Sequence, residues 1–155
     1  MLQIEVISDL AIEPVSLQEA KEFLSIDYND FDTLLGLLIT ASRKASEKVS
    51  GKAYGAKIIQ VTGNSYDGRT GDIERIYPIT PYVSNVVWDG EDETGNVDYR
   101  YNAGFTTCPQ DLKIAILMRV ATGFAVRQNG ISEAINKAVN SSIITERMYN
   151  SNFVV

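Results

Sequence analysis

The chain has 155 residues, 45% of them hydrophobic and 22% charged, which is ordinary for a globular protein long enough to bury a core. A formal charge of −6 repels the nucleic-acid backbone and argues against phosphate binding as the main activity. The absence of histidine removes Ser-His and Cys-His nucleophiles and histidine metal sites, and the single cysteine, Cys108, has no partner for an internal disulfide.

Leu2, Ile4 and Val6 alternate with Gln3 and Glu5, the pattern of a short strand or extended arm. This opening stretch lacks a basic, then continuously apolar, leader pattern, so an untargeted soluble chain is expected. Ser16 with Glu19 is a capping box for a short first helix, with Leu17, Ala20, Phe23 and Leu24 on one face and its end before Asp27. The second helix is expected to be capped by Asn29 or Asp30. Phe31, Leu34, Leu35, Leu38, Ile39, Ser42, Ala45 and Val49 fall on one face, opposite Arg43, Lys44 and Glu47, and Gly51 stops it.

From 57 to 104 the period changes. Segments 57–62, 73–77, 82–88 and 97–102 are rich in Val, Ile, Tyr and Thr and are separated by turn residues, which predicts a small antiparallel β insertion. The acidic stretch 89–95 reads as a solvated hairpin tip. As a calcium loop counted from Asp89 it fails, because Thr94 stands at the glycine position and Arg100 at the bidentate glutamate. Glu91 and Glu93 offer carboxylates, with nothing in the sequence to place them in an apolar pocket.

A third helix follows over 109–128, opened by Pro109 and Asp111 and closed at Asn129-Gly130. Phe124, Leu117, Ala121, Ile114, Ala125, Met118, Ala115 and Val126 make a wide apolar arc. Leu112, Ile116 and Val120 stand among the charges of the other side, so this helix is either wrapped by its own domain or shared with a neighbouring subunit. Residues 131–139 suit a weak helix, and the chain finishes in Phe153, Val154 and Val155, a cluster expected to dock on its own domain or on a partner. The expected fold is α+β: mainly a helical bundle of two N-terminal helices and a long third one, with a small antiparallel β insertion at about 57–104. Residues 1–130 form the domain and 131–155 a C-terminal helix or tail. No nucleotide loop or hydrolase elbow occurs, and no catalytic residue, cofactor or metal is expected.

Several segments resemble, in order, the head-tail connector (adaptor) family of tailed double-stranded DNA phages. They are EPVSLQEAKEFL at 13–24, VSGKAY at 49–54, YPITPYVSNVVWDG at 77–90, YNAGF at 101–105 and PQDLKIAIL at 109–117. The resemblance implies a structural virion protein, typically a ring of twelve copies below the portal at the head-tail junction, made in the host cytoplasm. Its implied partners are the portal protein, a stopper or tail-completion protein, and further copies of itself. DNA would pass through its channel without specific binding, and no membrane is involved. On that basis Leu112, Ile116 and Val120 are candidate subunit contacts, and Tyr149, Phe153, Val154 and Val155 a portal-facing tail. The rival readings are a tail-completion or stopper protein and, more distantly, a small carboxylate-based metal-dependent enzyme.

Overall fold

The computed structural model describes residues 2–64, 79–91 and 96–129, together with Lys137, Asn140, Ser141, Ile143, Ile144 and Arg147 in helical conformation. The elements in order are β1 (Leu2–Ser8), α1 (Leu17–Leu24), α2 (Asp32–Ser50), β2 (Lys57–Asn64), β3 (Tyr82–Glu91), β4 (Asn96–Ala103) and α3 (Gln110–Asn129).

The capping box sets the start of α1. Ser16 Oγ accepts from the Glu19 backbone N–H at 3.1 Å, and Glu19 Oε2 accepts from the Ser16 N–H at 2.8 Å. Phe23, expected on the buried face, is exposed; Ala20 and Lys21 are the buried residues of this helix. Neither Asn29 nor Asp30 caps α2. Phe31 holds the N-cap position without a side-chain bond, and the Asn29 side chain instead accepts from Lys21 Nζ at 2.6 Å. Gly51, at φ 66°, ends α2 in the left-handed conformation that glycine adopts without strain.

The sheet has the order β1-β2-β4-β3, with every neighbouring pair antiparallel. The β layer is therefore more than an insertion at 57–104, because the N-terminal strand belongs to it, and the fold is less dominated by helices than expected. One sheet face is apolar: Ile59, Val61, Tyr99, Tyr101 and Ala103 cluster there with Ala53 and Ile79. The other is polar, with Gln60 bonded to Asp98 and Arg100, and Asn102 bonded to Ser84. β3 runs to Glu91, so Asp89 and Gly90 are strand residues, while 92–95 and the expected strand at 73–77 lie outside the described residues.

The helices build a separate core in which α3 packs on α1 and α2 through Leu112, Ile116, Val120 and Phe124 against Leu35, Ile39 and Ala20. The outward face of α3 carries Ile114 and Val126, both more than two-fifths exposed. This reverses part of the periodicity reading. A helix apolar on nearly all sides has no dominant stripe, so its pattern does not fix which side turns inward.

Candidate docking groove at the joint of helices and sheet

Helical and sheet cores meet around one guanidinium. Arg43, on α2, is 1% exposed. Its Nε donates to Glu13 at 2.8 Å, its Nη1 to Glu47 at 2.8 Å and to Asp9 at 3.1 Å, and its Nη2 to Asp9 at 3.0 Å. Lys57 of β2 joins from the other side, 2.6 Å from Glu47 and 3.1 Å from Asp9. Thr40 Oγ1 donates to the remaining side of Glu13, and Glu47 Oε1 accepts the Tyr54 N–H. The cluster therefore fastens the chain after β1 to both α2 and β2.

Burial works against the Arg43 charge, but the bonds to Asp9 and Glu13 and the field of Glu47 more than offset it and raise its proton affinity. Desolvation likewise opposes ionisation of Asp9, and bonds from Arg43, the Leu10 N–H and Lys57 overcome it, holding that carboxyl well below the usual carboxylate range.

Asp9 and Glu13 are held by the same guanidinium, and of the three residues between them Ala11 and Ile12 are exposed, Ile12 to 83%. Leu10 folds back over Gly55 so closely that a Cβ there would lie 2.5 Å from Leu10 Cδ2. Gly104, at φ 124°, approaches in turn, and a Cβ on it would lie 1.9 Å from the Gly55 carbonyl oxygen. Between this loop and the end of β4 runs a groove of about 630 Å³, walled by Leu10, Ile12, Pro14, Tyr54, Val83, Ala103 and Phe105.

The two charged side chains on the groove wall are already engaged, Glu13 with Arg43 and Lys113 with Glu19 at 3.0 Å. Cys108 also lines it, and burial pushes its thiol up to about 11, which suppresses the reactive thiolate at neutral pH. Among the described residues no group of three Cys, Asp or Glu side chains is arranged to hold a metal. An apolar wall with its charges neutralised suits the seating of apolar side chains.

Leu112, Ile116 and Val120, expected at a subunit contact, are each 0% exposed inside the helical core of a single chain. They have no surface to offer a neighbour, and this assignment is corrected. Tyr149, Phe153, Val154 and Val155 lie outside the described residues, as does Glu93. The Arg43 cluster went unread in the sequence. Only its Arg43–Glu47 pair has the helical i,i+4 spacing; Asp9 and Glu13 lie 34 and 30 residues away.

The fold is α+β, a four-stranded antiparallel sheet joined to three helices. No protein-family model matches the sequence, and no curated protein matches it. Solved structures do. A chain in the virion of a native gene transfer agent particle is similar with a TM-score of 0.73 at 17% identity, covering 93% of this chain and 94% of that one. A chain in the neck of an empty gene transfer agent particle, computed with C6 symmetry, gives 0.71 at 18% identity, with 94% and 95% covered. A chain in the neck of a native particle, computed with C12 symmetry, gives 0.61 at 19% identity, with 92% and 94% covered. At such identities the likeness is one of fold, and it spans nearly the whole of both chains.

Proposed function

We propose that this chain is a structural neck protein of a tailed, phage-like particle, an adaptor whose copies form a ring between portal and tail and extend the DNA channel. The observation that supports the reading is the near-complete mutual coverage with chains of gene transfer agent particles, two of them from necks. The charge of −6 supports it, since a lumen that bound DNA strongly would hinder its passage. The portal protein, a stopper or tail-completion protein and further copies of the chain are its partners in this reading. Tyr149, Phe153, Val154 and Val155 are proposed as the portal grip, and removal of 149–155 then abolishes portal binding.

Electron microscopy of particles made without this gene tests the function. DNA-filled or leaking heads beside separate, complete tails are expected. Normal tailed particles overturn the reading.

A further inference from the structure

We infer that the groove between the loop at 9–14 and the end of β4 is a self-complementary contact, through which two copies pair about a two-fold axis, each seating its Ile12 in the groove of the other. Ile12 is 83% exposed, the highest value among the described large hydrophobic residues, and it stands on the groove's own wall. Val83 of β3, on the same groove, is 57% exposed. Beside these two side chains runs the groove itself, about 630 Å³, lined by Leu10, Tyr54, Ala103 and Phe105. One face of the chain thus carries an apolar knob next to an apolar hole, the kind of patch that marks a protein contact.

Knob and hole are set by the same latch. Arg43 holds Asp9 before the knob and Glu13 after it, and Pro14 follows with its φ fixed by the ring. Leu10 is seated over Gly55, where a Cβ would lie 2.5 Å from Leu10 Cδ2, and Gly104 approaches the Gly55 carbonyl closely enough to fix the far wall as well. Seating Ile12 in a partner therefore costs little conformational entropy, since its loop is already held at both ends.

Shape and charge both select a second copy as the occupant. A knob beside its own hole matches itself once the molecule is turned by half a turn, and the contact is then made twice in each pair, which is the isologous geometry. The two charged side chains on the groove wall are engaged within the chain, Glu13 by Arg43 and Lys113 by Glu19, so two molecules each of charge −6 can approach there with little local repulsion. A partner of another kind that merely filled the hole would leave Ile12 in water. The pair is a state of the chain outside the ring, because a ring whose copies share one orientation joins unlike faces, whereas this contact joins like ones. The inference therefore goes beyond the neck reading and stands apart from it.

The test is sedimentation of the full chain with and without Ile12→Asp. Wild type is expected to pass from monomer to dimer below about 1 mM. Ile12→Asp sets a carboxylate against each apolar groove and is expected to raise the dissociation constant roughly tenfold or more, with an unchanged thermal melting temperature showing that the fold is kept at this exposed site. Leu37→Asp, at a 66% exposed site on α2, leaves pairing unchanged. Chains carrying Ile12→Cys, mixed with chains carrying Val83→Cys and a short bis-maleimide, are expected to give the mixed dimer, told apart by mass; Leu37→Cys in place of Val83→Cys gives none, and wild type, whose Cys108 is buried, gives the background. A wild type that stays monomeric to about 1 mM, a dimer that Ile12→Asp leaves intact, or a mixed dimer formed equally with Leu37→Cys overturns the inference. Species larger than dimers that vanish in Ile12→Asp show a head-to-tail contact and overturn the two-fold pair. The neck reading stands or falls separately, on the particles made without this gene.

Discussion

Arg43 joins three parts of the chain that are remote in sequence, and its removal strands several charges at once. In Arg43→Ala, Asp9, Glu13 and Glu47 face one another with Lys57 as the main remaining counter-charge, so a loss of about 3–5 kcal/mol is expected in urea denaturation. Arg43→Lys rescues little of it, because an ammonium cannot grip Asp9 with two nitrogens while also reaching Glu13. Asp9 contributes to the acid response. Its folded proton affinity lies below the unfolded value, so its contribution is present above about pH 4 and is lost as pH falls toward the folded value. Wild type is therefore expected to lose stability between about pH 4 and pH 2 more steeply than Asp9→Asn, measured by denaturation at each pH. The sequence could not reveal this cluster, since helical periodicity assigns Arg43 and Glu47 to a solvated side and nothing local announces that the segment after β1 folds over them.

At the scale of elements, glycine separates geometry from propensity. Gly36 lies exposed within α2 with open space where a Cβ would stand, so Gly36→Ala is expected to raise stability by about 0.5–1 kcal/mol. Gly104 is the opposite case: its positive φ and the Gly55 carbonyl exclude a side chain, and Gly104→Ala is expected to cost more than about 2 kcal/mol and open the groove wall. Thermal melting of the two variants should move in opposite directions. The α1 capping box, the Gly51 stop and the extent of α3 were legible because each is written in neighbouring residues. The inward face of α3 and the place of β1 in the sheet were not. Each depends on a surface supplied from elsewhere: the helical pair α1 and α2 for one, and β2, some 50 residues downstream, for the other.

In the ring proposed above, copies that each carry a charge of −6 must adjoin. If adjoining copies met through opposite charges, added salt would weaken the assembly. With a net excess of like charge on every copy, the contact instead draws its attraction from burial of apolar surface. What salt then acts on is the repulsion between the remaining surfaces, screened over a Debye length that shrinks to about 10 Å at 0.1 M. Association measured by sedimentation should accordingly strengthen as sodium chloride rises from about 50 mM to about 500 mM, with the gain levelling off once the surfaces are screened. A decline over that range would mean that ion pairs hold the copies together.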